Sequence, residues 1–367
     1  MLINHKFYAA FASNEFFGSR IVKSLYDITG DIQSAWECDL SVLYKIEGIT
    51  PKKADNFLKI RDKINPDEEL EKLEASGVSL LTFDDLDYPE LLTQIPDLPM
   101  WLYFQGNREL FKSKYNVSVV GSRKSSSTGR ATLAKILSEY KNSNLCIVSG
   151  LALGIDATAH QAALDNNLAT IAVLGSGLKN VYPSKNKELF KNIIENNGLV
   201  LSEYPIYAEP MAYHFPLRNR IVSGISPCTL VAEAALKSGA LITARLCLEQ
   251  NRELMCIPGA ISNPATEGIY KLLKEGAGIV TCGDDLLNIM GWDLKKNQPK
   301  TTVSEEKNEN LSEDENKVLN ILRQDSLTID EIALKTGLQV DNLMIILTGL
   351  EIADYIIQTE GGNYSAI

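Results

Sequence analysis

From residue 117 onward, short runs of aliphatic and β-branched residues alternate with stretches that have the composition of helices. Seven such runs occur before residue 283, namely VSVVG (117–121), LCIVSG (145–150), TIAVLG (170–175), LVLSEY (199–204), CTLVAEA (228–234), ELMCIPG (253–259) and GIVTC (278–282). Near-continuous apolar strands that are separated by helices are typical of a parallel sheet covered on both faces. The alternation therefore predicts an α/β fold, an extended Rossmann-like domain with a mostly parallel sheet.

The residues before this pattern predict a lead-in and a small helical domain. Residues 66–293 are expected to form the Rossmann-like domain together with an extended lead-in, which contains a strand at WLYFQGN (101–107). Residues 1–65 are expected to form short helices, and residues 43–62 resemble a helix-hairpin-helix or SAM-like unit. Two interpretations of that unit stay open: contact with DNA phosphates through backbone N–H groups, or a purely structural helical domain.

The residues after the pattern predict a linker and a third domain. Residues 294–311 are polar and poor in apolar side chains, which favours a linker. Residues 312–367 contain three helical segments and then a hairpin around Gly361 and Gly362, which is the order of elements in a winged helix. The third helical segment, QVDNLMIILTGLEIADYI (339–356), has no Lys or Arg, so contact with a protein is expected there rather than with duplex DNA.

Charge and composition limit the classes of function. The formal net charge of −11 argues against non-specific binding of polyanions over the whole surface. A local basic cleft is still allowed, because salt screens charges that lie more than about 10 Å apart. Six scattered cysteines without a C-x-x-C pair are expected to be reduced thiols of a cytoplasmic protein. Neither a signal peptide nor a membrane span is predicted, since no apolar run approaches about 18 residues.

The chain offers little for a metal or a cofactor. It has three histidines, and the spacing of Asp156 and His160 places both side chains on one face of a helix. No second pair completes a metal site, and a buried hydrogen bond between Asp156 and His160 that fixes the loop is the favoured interpretation. Neither a metal nor a cofactor is predicted.

Ligands of open parallel sheets bind beyond the carboxyl ends of the strands, so the residues that follow each run are informative. After the first run, GSRKSSSTG combines a tight turn at Gly121 with the hydroxyl of Ser122 and the guanidinium of Arg123. Free backbone N–H groups there would form an anion site, although a serine-rich turn with a surface arginine is the plain alternative. The segment matches neither the dinucleotide-binding G-x-G-x-x-G motif nor a P-loop.

The next two strand ends supply further candidates. SGLALGIDATAH begins with Ser149 and Gly150, and this glycine lets the backbone approach a ligand closely. GSGLKNVYPSKN has Tyr182 between Lys179 and Lys185, which suits the stacking of a base with contacts to phosphate. A tyrosine packed under a turn is a comparable interpretation of Tyr182.

FPLRNRIVSGIS (215–226) concentrates positive charge at the expected start of a helix. Pro216 suits the first helical position, which would place Arg218 in or near the first turn, where a cation opposes the helix dipole unless an anion binds there. At about 100° per residue, Arg218 and Arg220 point to opposite sides. One is expected to face a ligand and the other to pair with a carboxylate such as Glu203 or Glu233. Two ordinary salt bridges are the alternative.

These motifs, with SEYP, SGALITA and IPG, occur in an order and with spacings that resemble the DNA-processing protein A (DprA/Smf) family over roughly residues 85–285. The resemblance implies a non-enzymatic protein that binds single-stranded DNA and loads the RecA recombinase onto it during natural transformation. It also implies a homodimer through the Rossmann-like domain and a DNA groove lined by the GSR and FPxRNR motifs. The predicted DNA contacts are Gly121, Ser122, Arg123, Ser149, Gly150, Lys179, Lys185, Arg218, Asn219 and Arg220.

Three departures from the family pattern and one competing function accompany this resemblance. Gly268-Ile269-Tyr270 stands where the family often has Gly-Thr-Asn, and Lys179 stands where an aspartate is common, which adds positive charge. Ser184 stands where some members carry a lysine just after Tyr-Pro, and Lys185 follows one place later. The competing function is a nucleotide-processing hydrolase of the related Rossmann-like superfamily. The loop PGAISNPATEG (258–268) lacks the second glycine and the spaced acid that such hydrolases carry.

Overall fold

The chain forms two compact units, residues 1–298 and 299–367. The computed structural model describes residues 2–294, 311–322, 327–352, 355–358 and 363–366. Most of the predicted linker and the predicted hairpin turn at Gly361 and Gly362 therefore lie outside the described residues. No helix in the described ranges is long and apolar enough to cross a membrane.

The first unit is an α/β structure that is preceded by a group of helices. Its helices are α1 (Leu2–Ala12), α2 (Ser19–Thr29), α3 (Ile32–Trp36), α4 (Leu40–Leu43), α5 (Pro51–Arg61), α6 (Pro66–Ala75), α7 (Glu90–Thr93), α8 (Ser127–Ser138), α9 (Ile155–Asp165), α10 (Lys187–Glu195), α11 (His214–Gly224), α12 (Ala240–Glu249), α13 (Glu267–Lys274) and α14 (Gly283–Met290). Its strands are β1 (Ser79–Thr82), β2 (Trp101–Gly106), β3 (Asn116–Gly121), β4 (Cys146–Ser149), β5 (Ala169–Val173), β6 (Leu199–Ser202), β7 (Cys228–Glu233), β8 (Glu253–Cys256) and β9 (Gly278–Ile279).

These strands form one sheet in the order β1-β2-β6-β5-β4-β3-β7-β8-β9. All seven predicted runs are strands of the sheet, and their pairings from β6 to β9 are parallel. The predicted strand of the lead-in is β2. It pairs with β6 in an antiparallel direction, and β1 pairs with β2 in the same way. The mostly parallel, Rossmann-like fold is confirmed.

The strands of the sheet are largely apolar because both of its faces are covered. Neighbouring residues enter different cores: Val119 and Leu230 pack in one hydrophobic cluster, whereas Val120 and Val231 pack in the other. Each of these four side chains is at most 6% exposed. A strand that is buried on both sides cannot alternate between apolar and polar residues, which explains the near-continuous runs in the sequence.

The N-terminal helices pack around a cluster of aromatic rings. The rings of Phe11 and Trp36 are 4.8 Å apart, and those of Phe17 and Phe57 are 4.9 Å apart, both in edge-to-face contact. Helices α4 and α5 form a helical hairpin, with Phe57 buried on the inner side of α5. These helices share a hydrophobic cluster with β1 and β2, so they are held firmly against the lead-in. The boundary at residues 65 and 66 stays a prediction.

The second unit has the winged-helix order. Helices α15 (Glu313–Leu322), α16 (Ile329–Thr336) and α17 (Val340–Ile352) precede an antiparallel pair, β10 (Ile356–Gln358) and β11 (Tyr364–Ala366). Val318, Ile332 and Leu347 are buried in its core. The C-terminal winged helix is confirmed.

Candidate functional site

The main cleft of the first unit lies where the order of the strands reverses. From β3 the chain adds β4, β5 and β6 on one side, and it then returns to place β7 on the other side of β3. Loops that leave neighbouring strands in opposite directions open a crevice at such a switch point, at the carboxyl ends of the strands. The cleft there has a volume of about 810 Å³, and its walls come from residues 120–124, 150–156, 210–222 and 235–243, with Tyr182.

Six of the ten residues predicted to contact DNA line this cleft, and four lie elsewhere. The six are Gly121, Ser122, Arg123, Gly150, Arg218 and Asn219. Ser149 is fully buried, and its hydroxyl donates a hydrogen bond to the carbonyl oxygen of Val119 at 2.6 Å. Lys179 is exposed on a loop outside the cleft, and Lys185 lines a different groove between α8, α9 and α10. We therefore assign to the cleft only the six predicted residues that line it.

Three exposed cations form the rim of the cleft: Arg123, Lys124 and Lys237. No ion pair to any of them is found among the described residues. The cleft also receives the N-terminal end of α12, which carries the positive end of the helix dipole. This chain is acidic overall, so the rim is a local basic surface that suits an anion.

Lys237 was missed by sequence reasoning. It follows β7, which is far from β3 along the chain but is its direct neighbour in the sheet. A lysine after an apolar run carries no signal by itself. Only the strand order brings Lys237 to the cleft of Arg123.

Two aromatic rings form a wall of the cleft beside the basic rim. The ring centroids of Phe215 and Tyr182 are 5.6 Å apart with the planes tilted by 50°, and the guanidinium carbon of Arg123 lies 5.2 Å from the centroid of Phe215. Tyr182 is 47% exposed, although it is a large aromatic residue. The structure therefore places an accessible ring near Arg123, and not with Lys179 and Lys185, which the sequence had grouped with Tyr182.

Arg218 forms the floor of the cleft and is only 3% exposed. Its Nη1 donates hydrogen bonds to the carbonyl oxygen of Gly150, at 2.8 Å, and to that of Val173. These oxygens lie at the carboxyl ends of β4 and β5, so the guanidinium joins two strand ends. Burial lowers the pKa of Arg218 to about 10, and the Asp156 carboxylate partly offsets this effect.

Asp156 and Gly150 complete the floor. One carboxylate oxygen of Asp156 accepts hydrogen bonds from the backbone N–H groups of Gly150 and Ala152, at 3.2 and 3.3 Å. Burial raises the pKa of Asp156, against the opposing effect of the positive charge on Arg218. A Cβ atom at Gly150 would lie 2.5 Å from Nη2 of Arg218 and 2.8 Å from Oδ2 of Asp156, so only glycine fits between these charged groups.

Two expectations about local structure are wrong. Helix α11 begins at His214, so Pro216 is its third residue, and Arg218 lies in the second turn rather than the first. The crowded charge is explained by the strand ends that Arg218 joins, and a bound anion at the start of the helix is not needed. His160 does not bind Asp156: its Nδ1 is 2.7 Å from the hydroxyl oxygen of Thr170. Burial, together with the charge on Arg218, lowers the pKa of His160 to about 3.

Arg220 points away from the cleft, as its position two residues after Arg218 predicts. Its Nη2 donates to Oε1 of Glu203 at 2.7 Å, so the carboxylate partner is Glu203. Glu233 instead accepts from the backbone N–H and the hydroxyl of Ser126, which caps α8. The Ser126 hydroxyl is therefore occupied inside the loop.

In the described part of the chain, no three His, Cys, Asp or Glu side chains come together as a metal site requires.

The arrangement has a definite chemical capacity. Three exposed cations and a helix N-terminus can hold phosphate groups, and the rings of Tyr182 and Phe215 can stack planar aromatic groups beside them. The buried floor of Arg218 and Asp156 shapes the cleft and offers few free donors. The cleft therefore suits a chain of phosphates with aromatic bases attached.

Comparisons with known proteins identify relatives of this chain. The profile of the DNA recombination-mediator protein A family matches residues 79–291, and that of the DprA winged helix domain matches residues 302–362. Protein Smf of Synechocystis is 34% identical over an alignment 364 residues long, which covers 91% of each chain.

Two solved structures resemble this chain. The X-ray structure of DNA processing protein A from Streptococcus pneumoniae has a TM-score of 0.68 and 35% identity, and it covers 78% of this chain and 97% of its own. DNA processing protein A from Helicobacter pylori has a TM-score of 0.53 and 28% identity over 58% of this chain and 95% of its own. The Helicobacter structure was described for its unique single-stranded DNA binding mode.

Proposed function

The chain belongs to the family of the DNA recombination-mediator protein A, and we propose that it binds single-stranded DNA in the cleft beside β3. Membership supports a role in DNA processing and recombination. The observation that carries the proposal is the exposed rim of Arg123, Lys124 and Lys237, none of which pairs with an acidic group in the described ranges, next to the exposed ring of Tyr182. Phosphates would bind the rim, while bases would stack against the aromatic wall.

The aromatic wall is the reason to expect a preference for single strands. A base in a duplex is stacked and paired, so its face cannot reach the rings of Tyr182 and Phe215. An unpaired base has a free face, and the stacking of one base on an aromatic side chain contributes about 1–3 kcal/mol. The single-stranded DNA binding of the Helicobacter relative supports the same preference.

Binding is tested by fluorescence anisotropy with labelled single- and double-stranded oligonucleotides over a range of salt concentrations. Three phosphate contacts predict a slope of log K against log salt of about −2 for single strands. Arg123→Glu should weaken binding about tenfold or more and make the slope shallower, because a phosphate contact is lost. Wild-type affinity in this variant would refute the assignment of the cleft.

The chain offers a matched control for charge. Lys124→Glu and Lys179→Glu change the net charge equally, and both side chains are exposed, but only Lys124 lines the cleft. We expect a marked loss of affinity for Lys124→Glu and a small one for Lys179→Glu. Equal losses would mean that general charge, and not the cleft, governs binding.

We also propose that the protein loads the RecA recombinase onto bound DNA in the cytoplasm, that it is a homodimer and that it has no catalytic activity. The family membership supports these roles, and Leu248, which is exposed on α12 outside the cleft, suits a contact between copies of the first unit. Sedimentation tests the dimer, and RecA filament formation on protein-coated single strands tests loading. Release of a base from a nucleoside monophosphate would instead support the competing function, a nucleotide-processing hydrolase.

For the winged helix we propose a contact with protein and not with DNA. Met344 and Ile345 on α17 are 57% and 72% exposed, and the helix carries no Lys or Arg. Phosphate contacts require cations, so this face is unsuited to a DNA backbone. Ile345→Asp in the full chain should leave the affinity for single strands unchanged, and a large loss would contradict the proposal.

A further inference from the structure

Helix α11 has two working faces. Phe215, Arg218 and Asn219 line the cleft described above. On the opposite face, Leu217 and Arg220 line a second cavity of about 340 Å³, whose other walls include the start of α2 and the lead-in. Helix α11 thus lines the cleft on one face and a cavity beside the N-terminal helices on the other.

A chain of hydrogen bonds beside this second cavity links α2 to α11. The hydroxyl of Ser19, the first residue of α2, donates to Oε1 of Glu203 at 2.6 Å, and the same oxygen accepts from Nη2 of Arg220 at 2.7 Å. The backbone N–H of Met100 donates to the hydroxyl of Ser19 at 3.1 Å. Nε of Arg220 donates to the carbonyl oxygen of Asp97 at 2.7 Å. Glu203 and the carbonyl of Asp97 therefore bind the Arg220 side chain directly, and Ser19 of α2 is joined to it through Glu203.

The groups in this chain are largely withdrawn from water. Ser19 is 6% exposed, and the side chains of Glu203 and Arg220 are 13% and 14% exposed. Burial alone would lower the pKa of Arg220, but the Glu203 carboxylate outweighs it and raises the pKa above its usual range. Hydrogen bonds between charged groups are stronger in such surroundings than at the surface, and they hold a narrow geometry.

A rigid helix couples its two faces. Arg218 and Arg220 are separated by about 200° around the axis, so a rotation or shift of α11 moves both guanidinium groups. Arg218 must meet the carbonyl oxygens of Gly150 and Val173 at the two strand ends. The anchor of Arg220 on the opposite side restricts the positions from which Arg218 can do this.

We propose that Ser19, Glu203 and Arg220 are positioning residues for the cleft, through which the N-terminal helices hold α11 in its binding position. This inference rests on the proposed binding of single-stranded DNA. It assigns the N-terminal helices an indirect effect on affinity, exerted through α11, and no contact with DNA. The alternative, in which the helical hairpin of α4 and α5 touches phosphate, is an outcome of the test.

The test compares Ser19→Ala with Ser76→Ala in the full chain. Ser76 is a close match, because its hydroxyl also donates at 2.6 Å, to the carbonyl oxygen of Leu73, and also accepts a backbone N–H at 3.1 Å, from Val78. It has no bond to α11. Ser19→Ala should weaken binding of a single-stranded oligonucleotide about tenfold, and Ser76→Ala should not. The salt slope should stay unchanged in both, since no phosphate contact is removed.

Two further measurements separate positioning from a loss of folding. The affinity losses of Ser19→Ala and Arg220→Met should be clearly less than additive, because both interrupt one chain of bonds. Ser19→Thr keeps the hydroxyl and should recover part of the affinity. If Ser19→Ala is poorly folded, Glu203→Gln replaces it, because the amide keeps the shape but removes the charge that holds Arg220, so a loss of affinity is expected here too. Additive losses, or wild-type affinity in Ser19→Ala and Glu203→Gln, would overturn the inference.

Lys52→Glu and Lys53→Glu, on the exposed surface of α5, test direct contact. A lower affinity with a shallower salt slope would show that the N-terminal helices touch phosphate, which overturns the inference. If Arg123→Glu abolishes binding but Ser19→Ala does not affect it, only this inference fails. If the wild-type protein does not bind single strands, the proposed function fails and the inference fails with it.

Discussion

Replacing Arg218 with methionine should destabilise the protein strongly, although the residue lies at a binding cleft. The guanidinium is 3% exposed and donates to the carbonyl oxygens of Gly150 and Val173. Methionine keeps much of the stem but leaves the buried carbonyl oxygens of Gly150 and Val173 without their donor, and it removes the positive charge that favours the Asp156 carboxylate. Leaving buried acceptors without a partner costs about 1–3 kcal/mol each, against a typical total stability of about 5–15 kcal/mol.

A second substitution tests the cause of this loss. Asp156→Asn in the Arg218→Met background removes the uncompensated charge, while its oxygen can still accept from Gly150 and Ala152. It should restore about 1–3 kcal/mol of the free energy of unfolding. Arg123→Met is the matched control, because this arginine is exposed and makes no ion pair with the described residues. Its stability should change by less than about 0.5 kcal/mol, while its affinity for single strands should fall.

Urea denaturation followed by circular dichroism at pH 7 measures these free energies, and fluorescence anisotropy measures the affinities. The expected pattern is a large loss of stability for Arg218→Met, a partial recovery with Asp156→Asn and no loss for Arg123→Met. A loss below about 1 kcal/mol for Arg218→Met would refute the account of the cleft floor, since the buried guanidinium and its hydrogen bonds would then contribute little. A further loss on adding Asp156→Asn would refute it as well.

Two other predictions concern pH and stacking. The pKa of His160 is lowered from 6.5 to about 3, so its contribution to stability is present above pH 6.5 and is lost as the pH falls. At pH 5 the loss in the free energy of unfolding is about 2 kcal/mol. In urea denaturation, His160→Gln should therefore show a smaller drop between pH 7 and pH 5 than the wild-type protein. An equal drop in the two proteins would contradict the lowered pKa of His160. Tyr182→Ala should weaken single-strand binding by about 1–3 kcal/mol in anisotropy titrations, whereas Tyr207→Ala, an exposed tyrosine outside the cleft, should not. Equal effects of the two substitutions would exclude stacking on Tyr182.

Much of the fold could be read from hydrophobic periodicity. The runs from Val117 to Cys282 were all strands, because a sheet covered on both faces buries both sides of each strand and so favours apolar residues at most positions. The winged helix was also predictable, since three helices and a hairpin follow one another in a short segment. The lead-in was less accessible: the strand at WLYFQGN was expected, but nothing local reports that it pairs with β6 in an antiparallel direction.

The candidate site was predictable where a motif follows its own strand. GSR and Gly150 lie at strand ends, and the general rule for open parallel sheets places them at one edge. Ser149, Lys179 and Lys185 belong to the same motifs but point or lie elsewhere, because a motif does not specify the direction of each side chain. Lys237 has no motif, and its place depends on the pairing of β3 with β7.

Arg218 and Arg220 show which properties follow from the sequence alone and which depend on the tertiary structure. Helical geometry alone determined that these two arginines point to opposite sides and that they have different partners. Only the tertiary structure decided which partners these are: the ends of β4 and β5 for Arg218, and Glu203 with the carbonyl of Asp97 for Arg220. Local periodicity depends on neighbours within a few residues. Burial and pairing depend on segments that are distant along the chain and meet only when the sheet has formed.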